Sequence, residues 1–276
     1  MSMDNPYFEE LNSAIQESVE ANGDVLISRN PSQSQEKQNQ QIYDMIDSGI
    51  DLLFINPVDW KRVTPALIAC KNANIPVVDI DTNVFDGEYV NSIILSDNYQ
   101  AGVQIAHDVE KKKDSARIVI LSHDSIFSTY ERIRGFIETI NTFDGDYEIV
   151  YKENTSVTLE SSMEVMLKFL EDNVDFDVII GGNDPTALGA LAAMQKCNIK
   201  NDTLIYGIDG SPLGKEMIKQ GYMEGTSAQF PIAIGRKAAE IAYSILNGES
   251  VPKNILIPVE LITKDNLEDF DIAGWQ

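Results

Sequence analysis

Two pairs of polar residues share one spacing. Asn56 follows the apolar run Leu52-Leu53-Phe54-Ile55, and Asp81 closes the run Pro76 to Ile80, 25 residues further on. Asn183 follows Val178-Ile179-Ile180 and two glycines, and Asp209 closes the run Thr203 to Ile208, 26 residues further on. An Asn amide donates and accepts hydrogen bonds, whereas an ionised Asp only accepts. Together they suit a ligand whose hydroxyls do both, such as a polyol or a sugar. Asn5-Pro6-Tyr7-Phe8 sets two aromatic rings at the start of a helix, where they could stack on the apolar face of a sugar ring. Arg132 offers a planar fork of donors, and Gln229, just before Phe230-Pro231, donates and accepts.

Each of these residues also has a structural use. Asn and Asp after strands cap helices and turns. Tyr7 and Phe8 could be core or a hydrophobic staple. Arg132, within Glu131-Arg132-Ile133-Arg134, could belong to a solvated face. The recurrence of the Asn…Asp pair at matching positions favours a shared polar site.

The elements that must position these groups alternate along the chain. Apolar periodicity predicts helices over 8–21, 35–46, 64–72, 100–111, 129–141, 161–172, 186–196, 214–220 and 232–246. Short β-branched runs predict strands at Val25-Leu26-Ile27, 52–55, 76–81, 93–95, 117–121, 147–151, 178–180 and 203–208. These runs are continuously apolar, which indicates strands buried on both faces. Strand–helix alternation at this spacing means α/β architecture with parallel sheets and right-handed crossovers. The repeat of a whole strand–helix–strand unit predicts two similar lobes. In such sheets ligands bind at the carboxyl ends of the strands, where all four residues fall.

Composition narrows the function classes. The 276 residues carry 21 Lys+Arg against 44 Asp+Glu, a formal charge of −23. That balance argues against nucleic acid and anionic membranes as main partners, since both need clustered cations. No run of 18 apolar residues offers a membrane span. Cys70 and Cys197 match no zinc or redox spacing and read as two buried free thiols. His107 and His123 are too few for a histidine metal site, and no metal or cofactor is expected. No G-x-S-x-G, P-loop, G-x-G-x-x-G or H-E-x-x-H motif occurs, and Asp79, Asp81 and Asp86 do not follow calcium-loop order, so no catalytic constellation is found. Met1 is followed by Asp4, Asn5 and Pro6 rather than an apolar leader, so the expectation is either a cytoplasmic chain or a mature or shortened sequence.

Seven blocks occur in order: Asn5-Pro6-Tyr7-Phe8, Ile55-Asn56-Pro57, Ser96 to Gly102, Arg132 to Phe136, Asn183 to Ala190, Gly207 to Gly210 and Ala228 to Pro231. Together they resemble the type I periplasmic sugar-binding proteins of ABC importers, nearest to the ribose-binding branch. The resemblance implies two Rossmann-like lobes joined by a three-segment hinge, one formed by residues 1–98 and 231–255, the other by 99–230 and 256–276. It implies that Tyr7 and Phe8 stack on the sugar, and that Asn5, Asn56, Asp81, Arg132, Asn183, Asp209 and Gln229 bond its hydroxyls. It further implies a monosaccharide, pentose or hexose, held in an interlobe cleft, an ABC permease as partner, a monomeric state, and a periplasmic or extracellular, membrane-anchored location. A sensor kinase or chemoreceptor as partner is the alternative, and the effector domain of a LacI-type repressor a remoter one. Two departures stand out. Family members have Asp-Arg where this chain has Asp81-Thr82, which places Thr82 in the site and removes a bidentate donor; the family's second-lobe aromatic is also replaced, at the nearest position, by Val157. Family members also carry a strand before Asn-Pro-aromatic-Phe, so the expectation is either a shortened sequence or a first-lobe sheet with a gap.

Overall fold

A computed structural model describes residues 5–199 and 202–276. Along the chain it runs α1 (Pro6–Ala21), α2 (Gln35–Asp47), β1 (Leu53–Ile55), α3 (Thr64–Asn72), β2 (Val77–Ile80), β3 (Ser92–Ser96), α4 (Asn98–Lys112) and β4 (Ser115–Ser122). It continues with α5 (Phe127–Ile140), β5 (Asp146–Asn154), α6 (Leu159–Glu171), β6 (Val178–Gly181), α7 (Asp184–Lys196), β7 (Leu204–Asp209), α8 (Pro212–Lys219) and β8 (Gly225–Ala228). Then follow α9 (Pro231–Leu246), β9 (Asn254–Ile257) and β10 (Glu260–Thr263). Helix starts are set by short polar caps and early prolines. Asn5, Ser34, Asp97, Thr158, Asn183 and Ser211 each accept a backbone N–H in the first turn of the helix that follows. Proline opens α1, α8 and α9, where its missing N–H costs nothing.

The chain forms two compact units. The first comprises 1–96, 126–128 and 230–258; the second comprises 97–125, 129–229 and 259–276.

Among the described residues of the first unit, four strands lie in the order β1-β2-β3-β9, all parallel. Ile42 of α2 and Leu67 and Cys70 of α3 pack with Leu53, Ile55 and Val77 in one buried cluster. Helices α1 and α9 pack against each other, and α9 also contacts β2 and β3.

The segment Val25-Leu26-Ile27 corrects the sequence reading, because it joins no sheet. Val25 is 84% exposed and Ile27 44%. A strand needs a neighbour about 4.8 Å away to satisfy its backbone. Here a cavity of about 670 Å³ lies instead among Phe8, Ile15, Val25, Ile27, Leu53 and Ile55. The sheet therefore ends at β1 among the described residues.

In the second unit six strands lie in the order β10-β8-β7-β6-β4-β5, parallel except that β10 runs against β8. Helices cover both faces. Phe169, Leu188 and Met194 pack with Val119 and Ile179 on one side. Ile105 and Phe136 pack with Ile118, Ile120 and Ile180 on the other. Val178, Ile179 and Ile180 are buried together, as a central parallel strand requires.

Three strands escape the sequence reading. Gly225-Thr226-Ser227-Ala228 has no large apolar residue, although all four positions are buried. Asn254–Ile257 holds the apolar run Ile255-Leu256-Ile257, which the sequence reading passed over, and Glu260–Thr263 is the third. The thiol expectation is half corrected: Cys70 is buried, but Cys197 is exposed at the end of α7, where the helix caps on its own backbone. Burial pushes the Cys70 thiol up to about 11, which leaves it inert.

Candidate functional site

Both units gather polar side chains at the carboxyl ends of their strands. In the first unit the chain leaves β1 at Asn56 and β2 at Asp81. Asp81 adopts φ 70°, a left-handed conformation that short polar side chains tolerate. Asn56 Nδ2 donates to Asp81 Oδ2 at 3.2 Å. The Asn56 carbonyl is held from behind by Gln38 Nε2 at 2.9 Å. Asn56 Oδ1, Thr82 Oγ1 and Asn83 Oδ1 are buried without a hydrogen-bond partner. Such atoms cost free energy unless a ligand or water satisfies them. Asn5 accepts the Tyr7 N–H at 3.0 Å, so its oxygen serves as a helix cap. Tyr7 is buried, Phe8 is half-buried, and their rings meet edge to face at 5.2 Å.

The second unit builds a denser cluster. Arg132 of α5 is 4% exposed. Its Nε donates to Asn98 Oδ1 at 2.8 Å and its Nη1 to the Gly182 carbonyl at 2.9 Å. The same Nη1 lies 3.8 Å from Asp209 Oδ1. Asp209, at the end of β7, accepts from Gln229 Nε2 at 2.8 Å and from the Asp184 N–H at 3.3 Å. Asn183 Oδ1 accepts from the Thr186 N–H and hydroxyl, and its Nδ2 donates to the Val157 carbonyl at 3.2 Å.

Asp184 lies behind this row. Its Oδ2 accepts from the Ser211 N–H and hydroxyl, and its Oδ1 from the Thr226 hydroxyl at 2.6 Å. Gly207 makes room for it, because a Cβ there would collide with Asp184 Oδ1. Burial raises the Asp184 pKa, against its hydroxyl and amide donors and the Arg132 charge. Asp209 is pushed up to about 8, first by burial and then by the Asp184 charge, against the pull of Arg132 and Gln229. One guanidinium thus faces two buried carboxyls. In the first unit Asp79 is also raised well above the carboxylate range by burial.

The structure brings Arg132, Asn183, Asp209 and Gln229 together on the second unit, and Asn56, Asp81 and Thr82 at the strand ends of the first. Sequence reasoning missed Asn83, Asn98 and Asp184. Asp184 carried a readable signal, a second polar residue ahead of Pro185. Asn98 carried none, since its partner Arg132 is 34 residues away. No group of three or more His, Cys, Asp or Glu side chains arranged for a metal ion occurs among the described residues, nor does any helix long and apolar enough to cross a membrane.

The family model described as "Periplasmic binding protein domain" matches residues 1–250. The chain belongs to the periplasmic binding protein family. Within that family it is similar to the ribose import binding protein RbsB of Bacillus subtilis (strain 168), 30% identical over 265 residues that cover 95% of this chain and 85% of that protein. It is equally similar to RbsB of Escherichia coli (strain K12), 30% identical over 266 residues, covering 95% and 88%. An ABC transporter solute-binding protein from Mycobacterium smegmatis, solved with bound glycerol, superposes with a TM-score of 0.92 at 27% identity, covering 100% of this chain and 95% of that one. The fold is shared with a periplasmic solute-binding protein from Actinobacillus succinogenes 130z with bound D-allose, at TM-score 0.89 and 22% identity, covering 98% and 97%. The family is one of solute-binding proteins, and the α/β fold with parallel sheets that its members share is the one observed.

Proposed function

We propose that this chain is an extracytoplasmic solute-binding protein that takes a monosaccharide, pentose or hexose, and delivers it to an ABC importer. The observation that carries the reading is the row Arg132, Asn183, Asp209 and Gln229, which sets a guanidinium, two amides and a carboxylate at the ends of neighbouring strands. A sugar hydroxyl can donate to Asp209 and accept from Arg132 or Gln229. Similarity to ribose import binding proteins supports the sugar class, and the orphaned oxygens of Asn56 and Thr82 in the first unit support a polyhydroxylated ligand. Asn5, Asn56, Asp81 and Thr82 supply hydrogen bonds from the first unit, and Tyr7 and Phe8 its aromatic surface. The protein works as a monomer outside the cytoplasm, either in a periplasm or as an extracellular membrane-anchored lipoprotein, and performs no chemistry on its ligand.

Thr82 stands where the ribose-binding branch has Arg. A hydroxyl there replaces two charged donors by one neutral group, which favours a sugar other than ribose or another anomer. Titration calorimetry with D-ribose, D-allose, L-arabinose, D-xylose and myo-inositol tests the reading. Binding of one of them at micromolar or tighter Kd is expected. Millimolar or weaker binding across the panel overturns it.

A further inference from the structure

Lys215 of α8 is a fully buried cation with an unusual set of partners. Its ammonium donates to the Asp271 carbonyl at 2.6 Å, the Gly274 carbonyl at 2.8 Å and Gln276 Oε1 at 2.9 Å. All three of its protons are used, and all three partners lie in residues 271–276. Because Lys215 can only donate, the Gln276 carboxamide must turn its oxygen toward Lys215 and its NH2 the other way. That NH2 donates to the Asp209 carbonyl at 3.2 Å and to the Gln229 carbonyl at 2.8 Å. Asp209 ends β7 and Gln229 follows β8, its neighbour in the sheet. The Gln276 side chain therefore ties together the backbones of two residues whose side chains are themselves bonded, Gln229 Nε2 to Asp209 Oδ1. Gly210 accommodates the tie: it takes φ +70°, and a Cβ there would collide with Gln276 Nε2 and Ala228.

We propose that Gln276, oriented by Lys215, is a positioning residue of the ligand site, setting the spacing of the Asp209 and Gln229 side chains and through it sugar affinity and selectivity. The assignment to a sugar site rests on the function proposed above; the positioning itself does not. The Gln229 N–H also donates to the Asp209 carbonyl at 3.0 Å; without the Gln276 bridge that single bond joins the two backbones beyond the ladder, and the Gln229 amide loses part of its fixed approach to the Asp209 carboxylate. That hydrogen bond favours the ionised carboxyl, so loosening it moves Asp209 further toward the protonated form.

The test uses Gln276→Ala and Gln276→Glu, the second keeping the oxygen for Lys215 while presenting an acceptor to the two carbonyls. The first readout is the NMR titration of the Asp209 side-chain carboxyl in ligand-free protein. The second is the Kd for D-ribose and for D-allose, with thermal unfolding measured in parallel. Both variants are expected to raise the Asp209 titration midpoint, to weaken sugar binding by about tenfold, the worth of one hydrogen bond, and to change the D-ribose to D-allose ratio. An unchanged Asp209 midpoint with unchanged Kd values, even with a lower Tm, overturns the proposal and leaves the sugar-binding reading standing. A shifted midpoint in a protein that binds neither sugar upholds the positioning role and counts against the sugar reading instead.

Discussion

The backbone N–H of Asp184 donates to the side chain of Asp209 at 3.3 Å, so two buried carboxyl groups share one neighbourhood and one guanidinium. Arg132, Asp184 and Asp209 come from three different elements, α5, α7 and β7. Their mutual distances govern the charge state of the site.

The pH dependence follows from that arrangement. Asp209 is pushed up to about 8 by burial and by Asp184, against about 3.9 in an unfolded chain. Between those values the folded state holds a proton that the unfolded state has lost. The contribution of Asp209 to stability is therefore fully present below about pH 4 and declines as pH rises toward 8. Urea unfolding at pH 5 and pH 8.5 should show this fall, and Asp209→Asn should flatten it. An identical slope in wild type and variant would contradict the assignment. A hydroxyl that donates to Asp209 prefers the carboxylate, so sugar binding at pH 6 should release a proton, seen as a buffer-dependent calorimetric enthalpy.

Replacing Asp184 by Asn keeps the shape and removes the charge. Because Asp184 is the second-largest influence raising Asp209, Asp184→Asn should lower the Asp209 titration midpoint. Asp184→Ala should do this and also strand the Ser211 N–H and the Ser211 and Thr226 hydroxyls. A loss of about 3 kcal/mol or more is expected from chemical unfolding, from the cost of buried donors left unpaired.

Arg132→Met removes the cation from the pair while leaving a side chain of similar reach. Breaking a buried ion pair from one side costs about 3–5 kcal/mol, although protonation of Asp209 softens this at low pH. The variant should be less destabilised at pH 5 than at pH 8. Affinity for the sugar should fall at both values, because Arg132 Nη1 is the donor that faces Asp209.

The first unit offers a prediction about its open edge. β1 pairs with β2 on one side and borders the cavity on the other. The backbone amide of Phe54, which points away from β2, should exchange with solvent faster than those of Val78 and Ile80, which lie between two strands. An apolar reporter dye should bind at the cavity and be displaced when Ile15→Trp fills it. Equal protection in β1 and β2 would show that the slot is closed in solution.

Local pattern was enough for the α/β class, the nine α-helices found among the described residues and the positions of Asn56, Asp81, Asn183 and Asp209 at strand ends, because parallel strands buried on both faces are continuously apolar. The same pattern misled at Val25-Leu26-Ile27, where three β-branched or apolar residues lack a neighbouring strand. It missed Gly225 to Ala228, whose strand conformation is imposed by β7 and β10 on either side. Asn5 and Asn183 each cap a helix, one of the two uses the sequence left open to them.

What the sequence alone determined is what rests on neighbours along the chain: strand and helix propensity, capping, and which residues sit at the turns after strands. The tertiary structure decided everything that needs residues far apart to meet. Asp209 meets Asp184 across 25 residues, and Gln276 meets Asp209 across 67. The charge state of Asp209 belongs to this second class, because a carboxyl pKa depends on burial and on charges a few ångströms away, neither of which has a sequence spacing. The bulk charge of −23 leaves that state unspecified. It is set instead by one arginine, two carboxyls and the depth at which the fold places them.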